Sequence, residues 1–259
     1  MSTISSNTLF HFTNSADNII KIIKGGFAPR FCLEEFGPAF FIGKSDKVEV
    51  AIPMTSFCDL PLSKIDTHLE FYGSYGIGLS KEWGQKNGLT PISYIHDSST
   101  QVKYIRQVGS LIFKLFKNET DFYKLPMEKN PLVALFELSA FFKPYSGQMW
   151  RINKYVDKRF YDEREWRYVP FLNSTEIQYR LEKEEFLNDI KRASANDVIA
   201  ASFALKFQYS DIKYLIVNKE TEMVALSDAL DAMSDLYTSE QRKILKTKIV
   251  SSEQIKEDF

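Results

Sequence analysis

The stretch "FYDEREWRYVPF", Phe160–Phe171, decides how this chain is read. As an extended segment its side chains alternate, so Glu163, Glu165, Arg167 and Val169 share one face while Trp166 and Tyr168 turn the other way, towards a core. Two carboxylates and a guanidinium then stand together beside a sheet. The commoner outcome of E-x-E-x-R is a solvated strand face with a cross-strand ion pair. The alternative is a catalytic carboxylate, which requires a cleft, a ligand and partner residues from elsewhere in the chain.

The 259 residues, 44% of them hydrophobic, suffice for a sizeable core in one large domain or two tightly joined ones, and a single domain over residues 1–259 is expected. Lys and Arg number 33 against 34 Asp and Glu, so no global basic field argues for generic nucleic-acid binding, and only a local basic surface is left to serve it. Cys32 and Cys58, the only cysteines, make neither a metal spacing nor a disulfide framework and point to a reducing cytoplasm. "MSTISSNTLFHFT" has no basic n-region or continuous apolar h-region, and no apolar run is long enough for a membrane span. A soluble cytoplasmic protein with no membrane partner is expected.

Along the chain, "TLFHFT", Thr8–Thr13, reads as a first strand. A helix follows, with Asn14 or Ser15 as its cap and Gly25-Gly26 as its stop. "VEVAIPMTSFCDLPL" is extended, with Pro53 marking an edge or a bulge. "TPISYIHD", "SFALKF" and "IKYLIVN" are further strands. Helical spacing runs from Ser98 to Asn118, and again over Pro131–Phe142 and "KEEFLNDIKRA". Short strands mixed irregularly with helices make the fold class α+β. The chain has no dinucleotide fingerprint, no Walker lysine, no G-x-S-x-G turn and no His/Cys cluster at metal-ligand spacing. An enzyme built on it would work with a carboxylate and a bound substrate, without a metal.

Several residues could serve Glu163 and Glu165. His11 and Thr13 share a strand face and can both hydrogen-bond a sugar hydroxyl, although a lone histidine among aromatics is more often a satisfied core residue. In "FYGSYGIG", Tyr72 and Tyr75 lie among glycines that let a flat ligand approach, or else simply pack in a turn. Arg30 could meet a phosphate bidentately or sit at the surface. In "MWRINKYVDKRFYDER", Met149–Arg164, aromatics interleave with Arg151, Lys154 and Lys158, a pattern suited to single-stranded nucleic acid.

Four segments carry a resemblance: "LFHFTNSADNIIKIIKGGFAPRFCLE", "SFCDLPLSKIDTHLEFYGSYGIGLSKEW", "EREWRYVP" and the terminal "KIVSSEQIKEDF". Together they resemble the AbiGi family of abortive-infection phage-defence proteins, which is often labelled an antitoxin. More distantly, the order His-strand, helix, Tyr segment and late Glu-aromatic strand resembles the ADP-ribosyltransferase superfamily, which includes DarT-like enzymes. That second resemblance implies a split β-sheet cleft holding NAD as co-substrate and an H-Y-E triad. In this sequence His11 would orient NAD through a ribose hydroxyl, Tyr72 or Tyr75 would stack near nicotinamide, and Glu165 would be the catalytic glutamate. Glu163 would supply the second acid of an E-x-E pair. The S-T-S strand of that superfamily has no clear counterpart, since "SFCD", Ser56–Asp59, departs from it.

The implied chemistry is coherent. Breaking the nicotinamide–ribose bond builds oxocarbenium character, which a carboxylate stabilises without a metal. Glu163 would then remove the acceptor's proton. The expectation is an NAD-dependent ADP-ribosyltransferase toxin modifying a macromolecule, preferably RNA or DNA, and held in check by a cognate antitoxin. The alternative is a non-catalytic antitoxin or regulatory subunit that binds a toxin partner.

Overall fold

The computed structural model describes residues 5–36, 48–116, 130–151, 154–171, 177–178 and 180–258. These form a mixed α+β structure around a nine-stranded, mostly antiparallel sheet. β1 (Thr8–Thr13) lies inside it, covered on both faces. Leu9 is buried with Ile19, Ile77, Leu79 and Trp83, while Phe10 turns to Cys58, Ile65 and Leu69. α1 (Ala16–Gly25) starts where Ser15 accepts a hydrogen bond from the Asn18 amide. It ends at Gly26, whose φ of 83° lets its N–H return to the Ile22 carbonyl.

β3 (Val48–Cys58) organises the rest. Its first half pairs with β2 (Arg30–Phe36) and with β11 (Leu181–Glu182), and Thr55–Cys58 pairs with β10 (Glu165–Tyr168). Pro53 has no N–H to donate, and it stands between Ala51, where β11 pairing stops, and Thr55, where β10 pairing begins. β1 meets β3 at one residue pair, Phe10↔Cys58, so the two strands part beyond it. On its other side β1 pairs along its full length with β4 (Tyr75–Ser80), which pairs in turn with β12 (Ile212–Val217). β13 (Ile249–Ser251) joins β12 in parallel, and β5 (Thr90–Pro91) closes the far side beyond β10.

Two expectations are corrected. "SFALKF" is not a strand: α7 (Asp189–Phe203) runs into it because Phe203 lies four residues from Ile199 and packs with it against Phe31 and Leu181. Leu205 alone pairs outside a strand, with Phe27. The opening stretch is also not one strand. Phe160–Glu163 forms a 3-10 turn, Arg164 takes a left-handed φ of 47°, and β10 starts at Glu165. Among the described residues, no helix is long and apolar enough to cross a membrane.

α2 (Asp66–Tyr72) turns into β4 at Gly73, whose φ is 112°. A Cβ there would collide with the backbone of Thr13 and Asn14. Gly73→Ala should therefore lower unfolding free energy by more than the roughly 1–2 kcal/mol of left-handed backbone strain. Gly25→Ala, with open space around it at the end of α1, should be neutral or stabilise by up to about 1 kcal/mol. Urea titration of both variants checks the contrast.

Candidate functional site

Glu165 and Arg167 alternate on the face of β10 that is turned away from the main core, while Trp166 and Tyr168 pack into that core. The charged face is not solvated. Glu163, Glu165 and Arg167 are 3%, 6% and 0% exposed, because α5 (Pro131–Ser139) and β7 (Phe142–Pro144) bring Ala140 and Lys143 over them. Arg167 donates from Nε to Glu165 Oε1 at 2.6 Å, from Nη1 to the Ala140 carbonyl at 2.7 Å and from Nη2 to Glu34 Oε2 at 3.0 Å. Ser56 Oγ donates to the same Glu165 oxygen at 2.6 Å. Lys143 Nζ bridges Glu163 Oε2 at 2.7 Å and Glu165 Oε2 at 2.9 Å.

A second lysine completes the group. Lys158, on β9 (Lys154–Lys158), lies 2.6 Å from Glu163 Oε1, donates to the Tyr72 hydroxyl at 3.1 Å and sits 4.0 Å from the Phe71 ring centre. Tyr72 in turn donates to Glu163. The Glu165 amide donates to Tyr94 Oη at 2.8 Å. Three carboxylates (Glu34, Glu163, Glu165) thus face three cations (Lys143, Lys158, Arg167).

Burial alone would raise both glutamates, but the cations outweigh it. Lys143 and Lys158 hold the Glu163 carboxyl below the usual carboxylate range, and Lys143 with Arg167 holds Glu165 far below it. Burial would release the proton of Lys143, yet Glu165, Glu34 and Glu163 together push its pKa well above the ordinary lysine value. Burial and the neighbouring Glu163 push the Tyr72 phenol far up, so it stays a proton donor. Glu163, Glu165, Lys143 and Arg167 are therefore held charged at neutral pH.

The network forms one wall of a cavity of about 710 Å³ that His11, Phe12, His68, Tyr72, Glu163 and Glu165 help to line. His11 lies on the opposite face of β1 from Phe10 and Phe12, against Phe27 and Phe57, and borders the cavity where β1 and β3 part. Its Nδ1 donates to the Ser56 carbonyl at 2.9 Å, since a carbonyl can only accept. Burial lowers its pKa, and the bond to Ser56 opposes this without reversing it. The structure thus brings together four of the expected residues, His11, Tyr72, Glu163 and Glu165.

It does not bring the others. Thr13 accepts from Asn18 at 2.7 Å, Tyr75 donates to Glu222 at 3.0 Å and Arg30 is exposed, and none of the three borders the cavity. Lys158, expected to contact an acceptor, is turned inward to Glu163 because its ammonium finds a carboxylate and two rings there. The side chains of Arg151 and Lys154 lie outside the described residues. Sequence reading missed Glu34, Ser56, Tyr94 and Lys143. Arg167 and Glu34 are 133 residues apart, so no local spacing signals their pairing. The one local hint was Lys143 standing inside the apolar run "FFKPY".

Arg167→Met should cost about 3–5 kcal/mol in urea unfolding, because it leaves Glu34 and Glu165 buried without their guanidinium. The double variant Arg167→Met, Glu165→Leu should recover much of that loss. The pH dependence has two windows. Burial drives His68 down to about 4, although Glu163 pulls it up, and it stays uncharged where an unfolded histidine takes a proton. Stability should fall between pH 6.5 and 4 by roughly 3 kcal/mol from this group, and His68→Gln should flatten the slope. His11 acts in the same direction. The glutamates, with lowered pKa values, contribute stability present above about pH 4.3 and lost as pH falls further towards their folded values.

A family model described as "abortive phage resistance protein AbiGi, antitoxin" matches residues 26–218, a span that holds every side chain of the charge network and omits His11. An abortive phage resistance protein AbiGi of Lactococcus lactis subsp. cremoris is 30% identical over 227 residues, which cover 80% of this chain and 89% of that relative. No solved structure matches. Both similarities extend over most of the chain, and on them it belongs to the AbiGi family of abortive phage resistance proteins.

Proposed function

We propose that this chain is the antitoxin or regulatory subunit of a phage-defence pair and acts by binding its toxin partner. The observation that carries this is the state of the two glutamates. Every oxygen of Glu163 and Glu165 already accepts a bond from Lys143, Lys158, Arg167, Ser56 or Tyr72. A catalyst needs a lone pair aimed at the reacting centre; Glu165 already accepts four bonds, two of them from Arg167, and Glu163 accepts three. The cavity lining is also acidic. Glu34, Glu35, Glu49 and Asp97 join the two glutamates, and Lys143 is the one lysine or arginine among the described lining residues. Glu163 and Glu165 hold that lysine, so a pyrophosphate would find no lysine or arginine in the described lining left to receive it, and the residues present do not fit NAD well. The antitoxin description of the matching family points the same way.

A second reading, ADP-ribosyl transfer to nucleic acid by an ADP-ribosyltransferase-like split sheet, is favoured by one observation. His11, Tyr72, Glu163 and Glu165 reach a single cavity from separate elements, beside strands that part. Growth and labelled NAD separate the two readings. Under the antitoxin reading, cells expressing the chain alone should grow normally, and co-expression should rescue cells from the partner toxin. The purified protein should then neither cleave labelled NAD nor label DNA, RNA or protein. Toxicity of the chain alone, with transfer reduced about 100- to 1000-fold by Glu165→Gln at an unchanged fold, would sink the antitoxin reading.

A further inference from the structure

A helix laid on a globular core carries one apolar stripe. α4 (Thr100–Phe116) carries two. On the first, Val102 and Gly109 are buried and Ile105 and Ile112 half-buried, and Val102 and Ile105 cluster with Ile95 and Phe142. A second stripe, rotated by roughly 110° at 3.6 residues per turn, is made by Tyr104, Val108, Leu111 and Leu115. These are 64%, 47%, 51% and 73% exposed. Single exposed apolar side chains need no explanation, but a contiguous row of four marks an interaction surface. Their spacing of four, three and four residues is that of the a and d positions of a heptad, by which one helix receives the knobs of another. α4 contains no Asp or Glu, and Lys103 and Lys114 border the stripe on the side away from the core.

We propose that this face of α4 is a docking surface for an amphipathic helix with acidic flanks, supplied by the partner protein. Acids beside the apolar row of the incoming helix would meet Lys103 and Lys114. A second copy of this chain is a poor occupant, because two such faces would set lysine against lysine. The identity of the occupant rests on the partner-binding reading above; the surface itself does not.

The probe is a synthetic amphipathic peptide of about three heptads with Leu at a and d and Glu on the flanks, and a Lys-flanked peptide is the control. Fluorescence anisotropy follows both against the whole chain at low and high salt. The Glu peptide should bind at least about tenfold more tightly than the Lys peptide, and salt should weaken it. Leu111→Asp should abolish binding at an unchanged melting temperature, and Lys103→Glu with Lys114→Glu should reverse the preference between peptides. The proposal is overturned if neither peptide binds, if both bind equally or if Leu111→Asp changes nothing. It is equally overturned if Leu111→Asp lowers the melting temperature, which would make the face internal packing, or dissociates a dimer of the wild type. Since the peptides need no toxin, failure here is separable from failure of the antitoxin reading.

Discussion

A guanidinium keeps its charge at any pH a protein survives, so a fully buried arginine constrains everything around it. Arg167 has no exposed surface. Taking it out of water costs several kcal/mol, recovered only if its donors all find acceptors in good geometry. The fold meets that condition with groups from three places: Glu34 on β2, Glu165 on β10 and the Ala140 carbonyl after α5. Glu165 is then over-supplied with positive charge by Arg167 and Lys143, and Glu163 shares Lys143 and recruits Lys158. The sheet, the cover of α5 and β7, and the turn before β10 are thus parts of one electrostatic arrangement.

On the proposed antitoxin reading these residues hold the fold together, and occupancy of their oxygens is what separates that role from catalysis. A glutamate in a cavity with a perturbed pKa is a fair candidate for chemistry. Here the perturbation is downward and has a structural cause, since cations sit on both carboxylate oxygens. A catalytic acid would be pushed the other way, and a catalytic base would keep an oxygen free for its substrate. The charge network of this AbiGi protein ties β2, β10 and the segment after α5 to one another.

Where local rules governed, the chain was legible. Alternation placed β1 and the inward turn of Trp166, and a serine cap with a glycine stop bounded α1. Alternation also put Glu165 and Arg167 on one face, but it could not say that the face would be buried. That depends on Lys143 and Ala140, which arrive from another part of the chain. The turn at Arg164 was hidden for a different reason. Its left-handed backbone is held by tertiary bonds, including the Asp59 amide donating to its carbonyl. "SFALKF" misled because an apolar–polar alternation also fits the end of a helix whose next partner lies one turn back.

The equal number of acids and bases in the network has an electrical consequence. Three negative and three positive side chains, packed within hydrogen-bonding distance, cancel at range, so the cluster radiates almost no field beyond the protein. Mobile ions cannot enter to screen it, and its cohesion should be nearly indifferent to ionic strength. An approaching molecule would feel instead the outer carboxylate of Asp97 at the cavity, whose influence is long-ranged in dilute buffer and fades in brine, since Glu49 is already paired with Lys183.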